Sequence, residues 1–423
     1  MTVIKNISEN NFEQCLKCSV CTVYCPVLAV NPAYPGPKQA GPDGERYRLK
    51  DAAFYDEALK YCLNCKRCEL ACPSGVKIGD IIQLARIRYS KQRPGLRELM
   101  LANTDIMGSL ATRMAPIVNT SLRLTPVKMV LDGVLGISKH AKFPKYAGER
   151  FETWYKKNAA EAQKQYAKQV SYFHGCYANY NYPKLSKDLV KIMNAIGYGV
   201  QLLEKEKCCG VALIANMQAE QARKQGLINI ASIRKAQAEG RITLTTSTTC
   251  TFTMRDEYEH LLGIDNHDVK DSIQLATKYI YELIERQGVK LAFRHDYRKR
   301  IAYHTPCHME KLGWAIYSTS LLRMIPGVDF VMLDSQCCGI SGTYGFKKEN
   351  YPYSQRIGEG LFKQIESLGV DLVATDCETC KWQIEMSTSA PVENPISIIA
   401  DALDVEKTIE LNKQPNKIGN KTN

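Results

Sequence analysis

The sequence predicts a multidomain protein of mixed α+β and α/β class, with a helical N-terminal unit followed by two homologous α/β units. Two dense cysteine runs lie within residues 1–92, residues 93–169 contain no cysteine, and residues 170–290 and 300–403 share one sparser cysteine pattern. A chain of 423 residues is long enough for several such units. The final segment, 404–423, is polar and is predicted to be flexible.

The cysteine content indicates metal binding. The chain has 17 cysteines and a net charge of +12, and its 45% hydrophobic and 24% charged residues exclude disorder on a large scale. Residues 1–14 lack the apolar core of a signal peptide, which predicts a protein that is not exported. In a reducing compartment, clustered cysteines are metal ligands more often than disulfide partners.

No segment of the sequence is predicted to cross a membrane. The longest stretch without charge runs from Cys18 to Pro37, and its four prolines are incompatible with a spanning helix. Any membrane contact is therefore expected to be peripheral, through a surface helix.

The dense cysteine runs have the spacing of bacterial ferredoxins. Each run places three cysteines two residues apart and a fourth, followed by proline, three residues further on. In that pattern three close thiolates hold one 4Fe–4S cluster and the fourth ligates the other cluster. We therefore predict two clusters with exchanged ligands. The first set is Cys15, Cys18, Cys21 and Cys72, and the second is Cys25, Cys62, Cys65 and Cys68. Two zinc sites are the alternative, but zinc ligands usually form Cys-x-x-Cys pairs with a longer spacer.

An internal repeat organises the second half of the chain. The segment from Ser171 to Cys176 matches the one from Ala302 to Cys307, and each is followed by an amphipathic stretch, a strand and Cys-Cys-Gly. Offsets of 131, 129 and 127 residues relate the matched cysteines of the two copies, which indicates duplication. Each copy is predicted to be a small parallel α/β unit, with strands 242–250 and 372–377 ending in cysteine.

The two copies differ in cysteine number. The second copy contains Cys307, Cys337, Cys338, Cys377 and Cys380, and the first contains Cys176, Cys208, Cys209 and Cys250. Thr253 stands where the second copy has Cys380. Adjacent cysteines fit an irregular iron–sulfur cluster better than one tetrahedral ion, so we predict such a cluster in the second copy. Zinc, a simpler cluster or no metal remains open for the first copy.

These motifs together resemble one family of respiratory iron–sulfur proteins. The segments from Pro35 to Arg46, from Ser335 to Asn350 and from Asp376 to Ser387 resemble the iron–sulfur subunit of anaerobic glycerol-3-phosphate dehydrogenases. The repeats resemble the CCG cysteine-rich domains shared with heterodisulfide reductases. The resemblance implies an N-terminal ferredoxin-type two-cluster domain, two CCG domains, and a non-cubane 4Fe–4S cluster in a complete five-cysteine set. It also implies flavin-bearing catalytic partners, a membrane quinone as acceptor, and attachment to the cytoplasmic face of the inner membrane.

The cysteine-free region 93–169 is predicted to be helical and basic. Apolar residues recur at helical spacing from Leu96 to Leu110 and from Val127 to Leu135, and residues 139–168 carry eight Lys or Arg against three Glu. Helices packed on the ferredoxin unit are one interpretation, and a surface for partner subunits or anionic lipid is the other. Nucleic acid is a poor alternative because no recognition motif accompanies the charge.

The absence of a dinucleotide-binding motif and the histidines beside the cysteines limit the functions that the sequence supports. The sequence has no Gly-x-Gly-x-x-Gly fingerprint, which agrees with organic cofactors on partner subunits. His174, His304 and His308 lie beside ligand cysteines and are interpreted as hydrogen-bonded structural residues. Together with the resemblance, these features predict an electron-transfer subunit without catalytic residues of its own. The alternatives are a reductase acting on a disulfide or quinone, and a metal-stabilised scaffold.

Overall fold

A computed structural model describes residues 11–54, 56–90 and 93–413. The N-terminal unit is helical, as predicted, with short 3₁₀ turns at Phe12–Gln14 and Glu57–Tyr61 and a π turn at Gln39–Asp43. Its helices are α1 (Val20–Val23), α2 (Gly44–Lys50), α3 (Arg67–Leu70) and α4 (Ile78–Tyr89). The buried residues Ile78, Ile81 and Ile82 of α4 form much of its core.

The two dense cysteine runs adopt the same unusual backbone. In the first run Lys17 and Ser19 have φ values of 59° and 63°, and in the second Asn64 and Lys66 have 53° and 63°. Left-handed conformations are uncommon for residues other than glycine, and their recurrence at equivalent places shows that each run coils in the same way. This coiling brings the three cysteines of each run to one side of a tight loop.

Six helices connect the N-terminal unit to the repeats. They are α5 (Leu96–Ala102), α6 (Thr104–Arg113), α7 (Ala115–Ser121), α8 (Thr125–Leu135), α9 (Phe151–Asn158) and α10 (Ala160–Gln163). Helix α6 packs closely on the first repeat, since a Cβ atom at Gly108 would lie 2.5 Å from the ring of Tyr180. None of the residues of helix α8, all of which the structure describes, is buried. Within residues 11–54, 56–90 and 93–413, no helix is long and apolar enough to cross a membrane.

Each repeat contains a four-stranded parallel sheet, as predicted. The orders are β2-β1-β3-β4 and β6-β5-β7-β8, and all pairs are parallel. The first repeat comprises β1 (Lys168–Phe173), α11 (Pro183–Ala195), β2 (Tyr198–Leu202), α12 (Val211–Ala215), α13 (Ala219–Ala238), β3 (Thr243–Thr245), α14 (Thr248–Phe252), α15 (Tyr258–His260), β4 (Ile273–Leu275) and α16 (Ala276–Gln287). The second comprises β5 (Lys299–Tyr303), α17 (Cys307–Leu312), α18 (Ala315–Arg323), β6 (Val328–Met332), α19 (Tyr351–Leu368), β7 (Leu372–Ala374), α20 (Glu378–Ser387), β8 (Val392–Glu393), α21 (Pro395–Ala402) and α22 (Val405–Lys413).

Two details differ from the sequence-based expectation. The strands expected to end in cysteine are shorter: Cys250 lies inside α14, because the Ser247 hydroxyl accepts the Cys250 N–H and starts a helix there, and Cys377 is the N-cap residue of α20. The segment from residue 404 was expected to be flexible, yet it forms α22 as far as Lys413. The Thr408 hydroxyl is buried and accepts the Ala292 N–H at 3.0 Å, which holds α22 in place. Residues 414–423 lie outside the described residues.

Candidate metal centres

The first group of thiols draws on both dense runs. Burial raises the pKa of the Cys21 thiol, and the neighbouring thiols of Cys15, Cys72 and Cys18 raise it further. The fourth cysteine of the second run therefore lies beside the three close cysteines of the first. Cys18 is exposed, whereas Cys21 is buried.

The second group consists of the fourth cysteine of the first run and the three close cysteines of the second run. Burial raises the pKa of Cys25 to about 12, and the thiols of Cys65 and Cys62 lie close enough to contribute. Burial also raises the pKa of Cys68, with contributions from the same two thiols and from Cys25. A small cavity between these four cysteines is lined by all of them. The structure thus brings together the same two sets that the exchanged-ligand pattern predicts.

The first repeat gathers its four cysteines at the carboxyl edge of its sheet. The Cys208 and Cys176 sulfurs are 3.8 Å apart, and the Cys209 thiol interacts with those of Cys208 and Cys250. Asp105 of helix α6 accepts the Cys208 N–H at 2.8 Å, so a helix of the connecting region closes one side of the group.

Thr253 turns away from this group. Its hydroxyl donates to Glu257 at 2.8 Å, and Glu257 in turn accepts the side-chain amide of Asn64 at 2.7 Å. The residue that replaces the fifth cysteine therefore supports the interface between the first repeat and the ferredoxin-type unit. Within the described residues it supplies nothing to the cysteine group.

The second repeat gathers all five of its cysteines in the same place. The Cys307 and Cys337 sulfurs are 3.8 Å apart, and those of Cys338 and Cys380 are 3.3 Å apart. A hydrogen bond from the Cys380 thiol lowers the pKa of Cys377 to about 5, against the effect of burial. The pKa of Cys380 is raised well above its ordinary value by the neighbouring thiols of Cys338 and Cys377 and by burial.

The cysteine groups of different domains are in direct contact. The thiol of Cys307 in the second repeat lies near the thiol of Cys65 in the N-terminal unit and lowers the pKa of Cys65 to about 7. Between the repeats, the Thr249 hydroxyl lies 3.5 Å from the Cys377 sulfur. Cysteines of the second repeat therefore lie near both the ferredoxin-type unit and the first repeat.

A cavity of about 910 Å³ borders cysteines of the N-terminal unit, the first repeat and the second repeat. Cysteines of both repeats and Cys62 and Cys65 line its floor, while apolar side chains of α5 to α8 line its walls. These wall residues include Met100, Leu101, Met107, Met114, Val118 and Leu131. The volume falls within the range of sites for small organic ligands, and apolar lining is typical of such sites.

A buried ionic network anchors the N-terminal unit to the first repeat. Lys66 is fully buried and forms ion pairs with Asp80, with Glu69 at 3.5 Å and with Glu257 at 4.0 Å. Burial opposes the charge on Lys66, but the three carboxylates hold its pKa well above its ordinary value. Sequence reasoning did not identify this network, because nothing in the local pattern around Lys66 distinguishes it from a solvated lysine.

The three histidines have different surroundings. The ring of His174 lies 3.0 Å from the Glu206 carboxylate, which agrees with a structural role. His308 stacks on Phe252 with ring centroids 4.6 Å apart. His304 is fully buried, yet neither ring nitrogen has a hydrogen-bond partner among the described residues, contrary to the structural role expected for it.

Comparison with known proteins agrees with this architecture. Residues 11–76 match a 4Fe–4S dicluster domain, and residues 170–255 and 301–385 each match a cysteine-rich domain. A subunit of the anaerobic glycerol-3-phosphate dehydrogenase of Escherichia coli K12 is 58% identical over 94% of this chain and 100% of its own length. The glycolate oxidase iron–sulfur subunit of Escherichia coli K12 is 25% identical over 94% of this chain and 96% of its own. A subunit of the heterodisulfide reductase of Methanosarcina barkeri is 23% identical over 92% and 94%, respectively.

The dicluster domain and the two cysteine-rich domains define an iron–sulfur protein of the electron-transfer class. In this chain, cysteines from distant parts of the sequence form adjoining groups. The chain belongs to the family of the iron–sulfur subunit of anaerobic glycerol-3-phosphate dehydrogenase.

Proposed function

We propose that this chain carries electrons from flavin-containing catalytic subunits of a glycerol-3-phosphate dehydrogenase to a membrane quinone. The proposal rests on cysteine groups of three domains that lie close to one another and border one apolar cavity. One-electron transfer is the chemistry that bound iron–sulfur clusters supply. The chain's own part is to hold them in series, to exclude water and to admit the acceptor.

The cysteine groups fit the cofactors proposed for them. Cys15, Cys18, Cys21 and Cys72 would hold one 4Fe–4S cluster, and Cys25, Cys62, Cys65 and Cys68 the other. The repeated left-handed backbone of both runs and the small cavity among the second four cysteines support this assignment.

The cysteine-rich domains would hold unlike centres. Cys307, Cys337, Cys338, Cys377 and Cys380 would hold a non-cubane 4Fe–4S cluster. Cys176, Cys208, Cys209 and Cys250 would hold zinc or a simpler cluster, because four thiolates satisfy either and Thr253 is engaged with Glu257.

We propose the first dense run as the place where electrons enter. Cys18 is exposed, and two apolar side chains of the same segment are exposed as well: Leu16 is 72% exposed and Val23 is 85% exposed. Exposed apolar side chains next to a cluster ligand suit a protein interface better than solvent. A catalytic subunit that docks here would bring its flavin near the first cluster.

We propose the large cavity as the place where electrons leave. A quinone has a flat ring with two carbonyls and an apolar tail. The thiol-lined floor and the methionine- and leucine-rich walls match these two parts. Met107 projects into the cavity from α6, which Gly108 allows to lie close to the first repeat.

The exposed face of α8 and the basic residues that follow it would rest on the membrane. On α8, Met129, Val130 and Val134 are 62%, 59% and 76% exposed, respectively. Residues 139–168 add basic charge, although Lys156, Lys157 and Lys164 pair with glutamates of the same segment. An apolar helix face beside excess positive charge is typical of peripheral attachment to anionic lipid, here the cytoplasmic face of the inner membrane. Quinone dissolved in the bilayer would then lie near the cavity.

Filling the cavity tests the site of quinone reduction. The assembled dehydrogenase should reduce a soluble short-chain quinone with glycerol 3-phosphate as donor. Met107→Trp should raise the KM for quinone about tenfold, which corresponds to roughly 1.4 kcal/mol of lost binding. Reduction of a one-electron dye at the exposed first cluster should remain unchanged. Leu227→Trp, on the exposed face of α13, is the matched control. An unaltered KM in Met107→Trp would exclude the cavity as the quinone site.

Two outcomes separate this function from the alternative reductase. The isolated chain, given a chemical electron donor, should not reduce small disulfides at a rate comparable with quinone reduction. Rapid disulfide turnover that Met107→Trp abolishes would favour a reductase that uses the same cavity.

Vesicle flotation tests the membrane surface. The holoprotein should bind vesicles that contain anionic lipid, and should dissociate at high salt because screening weakens Lys and Arg contacts. Val134→Asp should weaken the binding without loss of iron, since this side chain is exposed. Release only by detergent, or equal binding to purely zwitterionic vesicles at all salt concentrations, would contradict peripheral electrostatic attachment.

A further inference from the structure

A buried histidine in the second repeat lacks the partners that such a residue needs. His304 follows strand β5 directly and is fully buried. Neither Nδ1 nor Nε2 has a hydrogen-bond partner among the described residues. A buried polar group left unpaired lowers folding stability by about 1–3 kcal/mol. A bound group other than the polypeptide would therefore be expected to interact with this imidazole.

Two thiols close to this imidazole indicate the nature of the partner. One ring nitrogen of His304 and the sulfurs of Cys338 and Cys380 all lie within 4.8 Å of one another. All three residues are buried, and the two sulfurs are 3.3 Å apart. A nitrogen and two sulfurs that converge in a closed space form a suitable donor set for iron or zinc.

The first repeat provides an internal comparison. The offset of 131 residues that relates Cys176 to Cys307 places Phe173 at the position of His304. Phe173 is also fully buried, at 1% exposure, but a phenyl ring donates to no metal.

The same comparison holds for the fifth cysteine. Thr253 occupies the position of Cys380, and its hydroxyl is bonded to Glu257 instead. The first repeat thus lacks both the nitrogen and the sulfur that meet at Cys338, while Cys209 keeps the place of Cys338 itself. The two donors are present together in one repeat and absent together from the other, as expected if they bind the same metal atom.

We propose that His304 is a nitrogen ligand of the metal centre in the second repeat and binds the same iron as Cys338 or Cys380. This inference rests on the proposed presence of an iron–sulfur centre there. Neutral imidazole adds a ligand without adding negative charge, and iron–sulfur centres with histidine ligands have higher reduction potentials than those with cysteine alone. A higher potential at the second-repeat centre would favour transfer of electrons to it from the two ferredoxin-type clusters.

Pulsed EPR on the intact holoprotein tests this ligand directly. The protein should be purified anaerobically with natural-abundance histidine and with ¹⁵N-histidine, and its iron and sulfide should be counted. A histidine nitrogen coupling that changes with the isotope is expected in the signal of the second repeat. His304→Phe, which copies the first repeat, should abolish the coupling and lower the reduction potential of that signal. His174→Gln, beside the cysteines of the first repeat, should leave both unchanged.

The outcomes distinguish the ligand from the centre that it serves. A second-repeat signal without isotope-sensitive coupling would refute ligation by His304 while leaving the proposed function intact. Coupling that survives in His304→Phe would refute it equally. Absence of any iron signal beyond the two ferredoxin-type clusters would refute the centre itself, and with it the ligand. Because the isotope experiment uses the unaltered protein, it tests histidine ligation even if His304→Phe does not fold.

Discussion

Replacing Lys66 with methionine is expected to destabilise the contact between the ferredoxin-type unit and the first repeat. Lys66 is the cation shared by Asp80, Glu69 and Glu257, all of them buried. Removal of one partner from a buried ion pair costs about 3–5 kcal/mol, because the remaining charge has lost its compensation. Methionine retains the length of the side chain and faces the same cost as lysine at φ 63°, so backbone strain contributes little to the difference.

Urea unfolding of the holoprotein measures the effect. With a slope near 3 kcal/mol per molar, a loss of about 3–5 kcal/mol lowers the midpoint by about 1–2 M. Lys17→Met is the control, because Lys17 is exposed and also has a left-handed backbone. Iron content before denaturation should be equal in both variants and the unaltered protein. A midpoint for Lys66→Met within experimental error of that for Lys17→Met would refute the proposed role of the network.

The pH dependence of that loss follows from Asp80. Burial raises its pKa to about 7 even though Lys66 lies beside it. A carboxyl with a raised pKa is more stable when protonated, so its contribution to folding falls as pH rises between the unfolded value of 3.8 and about 7. Without Lys66 the pKa should rise further, and acidification should therefore restore part of the stability of Lys66→Met. A deficit that grows on acidification would contradict this sign.

Two further predictions concern the cysteine groups. Cys72→Ser should remove the EPR signal of the cluster held by the first dense run, and Cys25→Ser that of the second. Loss of each cluster with its own run would contradict exchanged ligands. Thr253→Cys should not create a second non-cubane signal, and should instead lower stability by about 1 kcal/mol because Glu257 loses a hydrogen bond. A new non-cubane signal in this variant, measured by EPR, would show that the missing thiol alone distinguishes the repeats.

Local sequence patterns predicted the two cysteine-rich loops and the internal repeat, because the spacing of cysteines indicates both. The spacing of each dense run sets the reach of its thiols, and the steady offsets between the repeats reveal duplication without structural information. The same patterns predicted a strand as far as Cys250, where a serine cap starts a helix instead. That error arose because the threonines between Ile242 and Cys250 favour a strand by their β-branched side chains, whereas Ser247 caps a helix.

The parts that the sequence did not reveal depend on packing between distant segments. The contact of Cys65 with Cys307 joins residues far apart in the chain, and no spacing rule relates them. The isolation of His304 is likewise visible only once its surroundings are known. A comparison of the two repeats could have drawn attention to it, since Phe173 and Thr253 replace His304 and Cys380 together.

We propose that electrons pass through this chain from substrate oxidation to quinone. Freeze-quench EPR of the assembled dehydrogenase follows this path, with iron, sulfide and zinc counted on the same sample. Glycerol 3-phosphate should reduce both ferredoxin-type clusters and the second-repeat centre, and added quinone should reoxidise all three. The account is contradicted if the second-repeat cysteines hold only zinc, or if the cluster signals stay unchanged while the complex turns over with quinone.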